Sequence, residues 1–319
     1  MDKTFNLLTA GQLIDNQPEL NAELTELAGV FRQQPVSGQG QVAIKNQQLQ
    51  IKSLKLKSGK AELNAQGELA QQWNLDWKLA IPALGALVPQ AAGDILAQGH
   101  LGGTVQQPTV DATIRGKQWR YQAYQLDKIA ADVFVDVADK KPAKIRLNLE
   151  RLAAPAQPII DRVQLALDGQ MGAHRLTLEI KQGENPLQLA AQGGYALTEQ
   201  QWQGELTRLA FSHPHTGSWK LTKPTPLQAS AIQAKLQVLC LQREQTQWCT
   251  TADWQAPNAN LALQLQQLPL AWLKPWLPGL DVSGHLSADL KAQHGLQGPM
   301  GTLVIHPITG QLHWKLDEL

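Results

Sequence analysis

Two cysteines, a pair of histidines and a glycine-rich triplet are the residues of this chain whose types and spacing could do chemistry. Cys240 and Cys249 lie in Q-V-L-C-L-Q-R-E-Q-T-Q-W-C-T-T-A-D-W, two short alternating arms around a polar R-E-Q-T centre. Such a run reads as a β-hairpin in whose register the two thiols face each other within disulfide reach. If the bond forms, the compartment is oxidising; the other reading is a pair of reduced, packed thiols in a cytosolic protein. His213 and His215 could present both imidazoles on one face, but zinc takes three or four ligands, and Ser212 and Pro214 make the segment a loop. Gly38, Gly40 and Ala43 spell the dinucleotide fingerprint, yet they precede a strand and open no helix. His100, His174 and His285 fall inside strand patterns, where a histidine is a satisfied polar or packing group. There is no G-x-S-x-G, no H-E-x-x-H, and no carboxylate pair set to titrate apart. The expectation is a chain that is not an enzyme, with no cofactor and no metal site.

The elements that position these residues are strands. From Val42 to Leu69 apolar and polar residues take turns almost without interruption, which is the period of a strand with one wet and one dry face. The pattern assigns Leu49, Ile51, Leu54, Leu56 and Leu63 to the dry face. The same texture adds Leu147 and Leu149, then Val163, Leu165 and Leu167, and also Leu176, Leu178 and Ile180. Leu187 and Leu189 follow, and Leu261, Leu263 and Leu265 close the set, while Lys55, Lys57, Thr177 and Lys181 face water. No long amphipathic helix is available to cover such a face, so what fills it becomes the functional question.

Composition excludes several classes. Charged residues make up 17% of the 319 residues, and Gln and Asn carry much of the polar face. The 28 basic and 27 acidic residues leave a net charge of +1, which gives no general attraction to phosphate, so nucleic acid is not an expected partner. No stretch reaches the 18 or so apolar residues of a membrane span, and Met1-Asp2-Lys3 opens no signal pattern. The terminal Leu316-Asp317-Glu318-Leu319 follows the alternating Leu312, Trp314, Leu316 and reads as the point where a longer repeat is cut.

Internal similarity organises the chain. N-L-D-W-K-L-A-I-P-A-L-G-A-L-V-P from Asn74 resembles N-L-A-L-Q-L-Q-Q-L-P-L-A-W-L-K-P-W-L-P from Asn260, and each is followed by Gly-His-Leu, at Gly99 and at Gly284. Repetition of one unit predicts an elongated array rather than a ball. The boundaries expected are lead-in strands over 1–35, a first repeat region over 36–151, an intervening region over 152–230 and a second repeat region over 231–319, forming one continuous unit incomplete at both ends. The Pro-bounded segments around Pro82 to Pro89 and Pro269 to Pro278 break the period of two and predict a short helical turn or cap. Glycines after strands predict bends or bulges. The chain also carries 10 Trp against 4 Phe and 3 Tyr. Trp73, Trp77, Trp202, Trp219, Trp248, Trp254, Trp272 and Trp276 either plug the ends of an apolar trough or form a contact site.

The order of G-H-L, N-L-x-L, L-P-L-x-x-L-x-P-W-L-P-G-L, W-Q-G-E-L, G-S-W-K-L and the paired L-C-L and W-C-T resembles the TamB-like proteins of the AsmA-like superfamily, over nearly the whole chain. That resemblance implies an all-β fold, a long U-shaped sheet or groove (a β-taco) with an apolar interior and few short helical turns. It implies a periplasmic location in a diderm bacterium, with the full-length protein anchored in the inner membrane and a TamA-like outer-membrane barrel as partner through parts outside this chain. It further implies movement of phospholipid between membranes and assembly or secretion of outer-membrane proteins such as autotransporters. The chain is similar to an internal segment of such proteins.

Residues and resemblance converge on an apolar stripe that holds acyl chains. Each CH₂ moved from water gains about 0.8 kcal/mol, so a 16-carbon chain gains on the order of 10 kcal/mol. Two other readings stand beside it: a scaffold that accepts nascent outer-membrane strands by strand addition, and a closed barrel or sandwich without cargo.

Overall fold

The computed structural model describes residues 4–14, 17–45, 48–272, 280–295, 298–306 and 309–314. Contacts divide the chain into two units, Met1–Gln170 and Met171–Leu319. The first unit runs through β1 (Thr4–Ile14), β2 (Gln17–Phe31), β3 (Gln34–Lys45), β4 (Gln48–Ser58), β5 (Ala61–Leu69), β6 (Trp73–Ile81), β7 (Ala91–Gly103), β8 (Pro108–Tyr121), β9 (Tyr124–Asp136), β10 (Ala143–Ala153) and β11 (Ile160–Gln170). Each strand pairs antiparallel with the next, so the unit is a meander joined by short turns. The segment from Pro82 to Pro89 holds the 3-10 turn Leu84–Ala86, where the prolines interrupt the ladder.

The second unit contains β12 (Ala173–Gln182), β13 (Asn185–Ala196), β14 (Gln201–His213), β15 (Gly217–Leu221), β16 (Thr225–Ser230), β17 (Gln233–Arg243), β18 (Thr246–Gln255), β19 (Asn258–Pro269), β20 (Leu280–Gly295), β21 (Gly298–Ile305) and β22 (Thr309–Trp314). Here β15 and β16 both pair with β14 on one side and β17 on the other, which makes them one strand interrupted by Thr222-Lys223-Pro224. Pro224 cannot donate to a ladder, and Thr222 N–H bonds the Cys240 carbonyl at 2.9 Å across the gap. The fold is all-β and antiparallel, and β1 to β22 are the strands among the described residues.

The alternation is less regular than it looks, and the ladder absorbs the exceptions. In β4 the apolar spacing jumps from two to three between Ile51 and Leu54, and the register shifts at that point. The same jump and the same shift occur at Leu24/Leu27, Leu236/Leu239 and Leu265/Leu268. A bulge places two residues opposite one, so the extra residue is dropped and the following side chains return to the original face. Without it, every residue beyond the jump would point to the wrong side.

On the polar face, cross-strand ion pairs tie neighbours together: Arg115 to Asp132 and Arg146 to Asp168, both at 2.6 Å, and Lys128 to Glu150 at 3.0 Å. Both arginines also donate Nη1 to a carbonyl of the adjoining strand, Ala131 for Arg115 and Leu167 for Arg146. Glu62 accepts from the Asn64 amide at 2.9 Å and lies 3.2 Å from Lys55 and 3.5 Å from Lys57. The Asn64 bond first, then Lys55, holds its carboxyl below the usual carboxylate range. A lowered carboxylate contributes above its ordinary pKa and loses that contribution as pH falls through the lowered value. Such exposed pairs are individually worth little.

Candidate functional site: an apolar face carried from strand to strand

The leucines of the first unit fall into transverse rows. Strand by strand from β2 to β11, direct partners read Leu27, Gly38, Leu56, Leu63, Leu79, Ala97, Ile114, Ala131, Leu147 and Leu165. The neighbouring row from β3 reads Gly40, Leu54, Ala65, Trp77, Gly99, Ala112, Val133, Ile145 and Leu167. Directly paired residues point to the same side of a sheet, so both rows lie on one face and no polar side chain interrupts either. Nine steps of about 4.8 Å make the first row on the order of 40 Å long. Leu149 and Val163 pair with each other on this face, and Leu49 and Ile51 rejoin it through the bulge before Leu54. Lys55 and Lys57 lie on the opposite face, in register with Asn64 and Glu62.

This face is apolar but not sealed. Leu56, Leu63, Leu79, Leu147 and Leu165 are half-buried, and the fully buried apolar residues of the unit, among the described residues, are mostly alanines, with Leu75 and Ile81 the larger ones. A sandwich core would bury its central leucines under a second layer. Here the strands make their substantial contacts with the neighbours to which they are bonded.

In the second unit Leu176, Leu178 and Ile180 pair with Ala191, Leu189 and Leu187, and these with Leu206, Leu209 and Phe211. Thr177 and Lys181 lie on the other face, opposite Ala190 and Pro186. Leu261, Leu263 and Leu265 pair with Ala252, Thr250 and Trp248 on one side, and with Ala292, Leu290 and Ala288 on the other. From β13 to β17 runs a tighter cluster of Ala191, Leu206, Trp219, Leu239 and Leu241, against which Trp202, Trp248 and Trp272 pack.

The tryptophans have distinct roles. Trp272 meets Trp219 edge-on, with ring centroids 5.9 Å apart. Flat strands β15 and β19 would stand about 14 Å apart, with β17 and β18 between them, so either the apolar side is concave there or the turn at 270–272 folds over it. Both arrangements put Trp272 on the apolar side. Trp77 and Trp202 instead lie over glycines. A Cβ on Gly99 would sit 2.9 Å from the Trp77 ring, and Cβ atoms on Gly193 and Gly204 would sit 2.6 and 2.7 Å from that of Trp202. These glycines lie within strands and make room for indoles, whereas Gly67 and Gly93, at φ +136° and +104°, take conformations that other residues rarely adopt. Trp202 Nε1 donates to His174 Nε2 at 2.8 Å, so His174 carries its proton on Nδ1, facing the Met171 carbonyl at 3.1 Å. Trp248 Nε1 is buried without an acceptor among the described residues. Trp276 lies outside the described residues.

Cys240 and Cys249 are direct cross-strand partners on β17 and β18, and their sulfurs are bonded. Closing so short a loop contributes about 2 to 3 kcal/mol in the chain-entropy account. Replacing both by Ser is expected to lower the unfolding free energy by roughly that amount in urea titration, with the β spectrum retained because the ladder on either side remains. His213 and His215 stand with ring centroids 5.5 Å apart, and no group of three or more His, Cys, Asp or Glu converges among the described residues. No helix of the described residues is long and apolar enough to cross a membrane.

A half-open apolar face built by an antiparallel meander is the arrangement against which the chain's relatives can be compared. The family model described as "TamB, N-terminal domain" matches residues 5–318. The chain belongs to the TamB family. Among curated proteins, the translocation and assembly module subunit TamB of Haemophilus influenzae (strain ATCC 51907 / DSM 11121 / KW20 / Rd) is 21% identical over 275 residues, which is 85% of this chain and 21% of that protein. The chain thus spans about a fifth of the length of that TamB relative. No solved structure matches it.

Proposed function

We propose that the chain is a non-enzymatic, periplasmic segment of a TamB-type envelope protein that carries phospholipid acyl chains along its apolar face between the inner and outer membranes of a diderm bacterium. The observation that carries this reading is the pair of uninterrupted apolar rows, Leu27 to Leu165 and Gly40 to Leu167, whose leucines are half-buried and have no second layer over them among the described residues. An acyl chain laid along such a row gains about 0.8 kcal/mol per methylene without a deep pocket, so it is held and still free to slide. The polar head has water on one side. Membership of the TamB family supports the envelope setting and, for the full-length protein, an inner-membrane anchor and a TamA-like barrel as partner.

A second reading, a scaffold for nascent outer-membrane proteins, draws on β21. Its bonded partner among the described residues is β20, and Met300, Leu303, Val304 and Ile305 are exposed along it. An apolar strand edge of that kind accepts another strand. Photocrosslinkers at Leu178 and Leu189 in the full-length protein are expected to capture phospholipid, and one at Thr177 is not. Equal capture on both faces, or capture of nascent barrel strands in place of lipid, would transfer the assignment to the scaffold.

A further inference from the structure

Arg243 is placed where an apolar face has no structural use for a charge. It follows Leu239 and Leu241 at every second position of β17, so its side chain leaves from the apolar side, at the end of the strand, opposite Thr246. The guanidinium has close neighbours. Its Cζ lies 4.7 Å from the centre of the Trp272 ring. Gly217, at φ +69°, adjoins it as well: a Cβ there would come within 2.7 Å of that same carbon. Nη1 donates to the Thr216 carbonyl. Glu244 makes a long ion pair with Nη2 at 3.7 Å, beyond hydrogen-bonding distance, and its own side chain is 80% exposed. A guanidinium has five N–H donors in a planar fork. Most of them have no hydrogen-bond acceptor among the described residues, although the Arg243 side chain is only 24% exposed.

A partly desolvated cation with spare donors is a site for an oxyanion, and the fork matches phosphate. The surface leading away from it is apolar: Trp248, the partner of the buried Leu241, is half-buried and pairs in turn with the half-buried Leu265. A ligand that satisfies both halves carries a phosphate at one end and alkyl chains at the other. We infer that Arg243, braced by Trp272, Gly217 and Thr216, is a headgroup subsite that reads the phosphate of an anionic amphiphile whose acyl chains lie on the Trp248 and Leu265 surface. This rests on the acyl-path reading above and adds selectivity to it: the path has a station that distinguishes phosphate-bearing lipid from neutral lipid.

The test compares the binding of three probes to the purified chain by equilibrium titration. They are 1,2-dihexanoyl phosphatidylglycerol, 1,2-dihexanoylglycerol, which has the same chains and no phosphate, and glycerol phosphate, which has no chains. The wild-type chain is expected to bind the phospholipid at least tenfold more tightly than either of the other two. R243Q is expected to lose that tenfold preference while binding dihexanoylglycerol unchanged, and R243K, which keeps the charge, to retain part of it. Equal wild-type affinity for the two diacyl probes overturns the subsite and leaves the acyl path standing. Binding of neither diacyl probe overturns both. Glycerol phosphate bound as tightly as the phospholipid would make the site one for free phosphate and overturn the amphiphile. Loss of both diacyl probes in R243Q and R243K alike would identify Arg243 as a packing residue and overturn the proposal.

Discussion

Leu178→Arg in the full-length protein is expected to abolish lipid transfer between donor and acceptor vesicles, while Thr177→Arg leaves transfer near normal. Leu178 pairs with Leu189, and Leu189 with Leu209, so it opens a row on the apolar face of the second unit. A charge placed in an apolar stripe costs several kcal/mol unless it reaches water, and an arginine that snorkels out still leaves its head across the path. The fold tolerates the change because the face is half-open and Leu178 is only half-buried. Thr177 lies one residue away on the other face, opposite Ala190, where Arg175 and Glu179 flank it. The pair of variants therefore differs in face and hardly at all in position. Intact transfer by a folded Leu178→Arg protein would remove the conduit and leave the strand-accepting scaffold.

The largest effect on stability is expected at Trp219. It is 6% exposed, belongs to the buried cluster with Leu206, Leu239 and Leu241, meets Trp272 edge-on, and donates Nε1 to Thr216 Oγ1 at 3.2 Å. Trp219→Ala removes the buried ring and leaves a cavity that the surrounding strands fill only in part, a loss of about 3 to 5 kcal/mol. Trp254→Ala is the comparison, because that ring is 38% exposed and its loss should stay below about 1 kcal/mol. Urea unfolding followed by circular dichroism measures both. Equal costs at the two sites would mean that the cluster does not hold the second unit together.

Much of this protein was legible in its residues because the information is local. A strand's side chains alternate with a period of two whatever the strand later packs against, so Leu176, Leu178 and Ile180 are assigned to one face before any partner is known. Hairpin register is also short-range, which is why Cys240 and Cys249 can be read as facing each other across a polar turn. Family membership was legible for a different reason: the order of many weak motifs along the chain outweighs the poor specificity of each.

What the sequence could not settle depends on register and on contacts between strands far apart in the chain. The step from Ile51 to Leu54 looks like a loss of alternation, and only the paired strand shows a bulge that keeps Leu54 and Leu56 on the same face as Leu49. The use of Gly99 and Gly193 shows only where the neighbouring strands bring Trp77 and Trp202 over them. The meeting of Trp219, Arg243 and Trp272 joins positions on β15, β17 and the turn after β19, and nothing in their spacing announces it. Alternation specifies which side each residue faces. Which residues meet on that side is decided by the ladder, its bulges and the path of the turns.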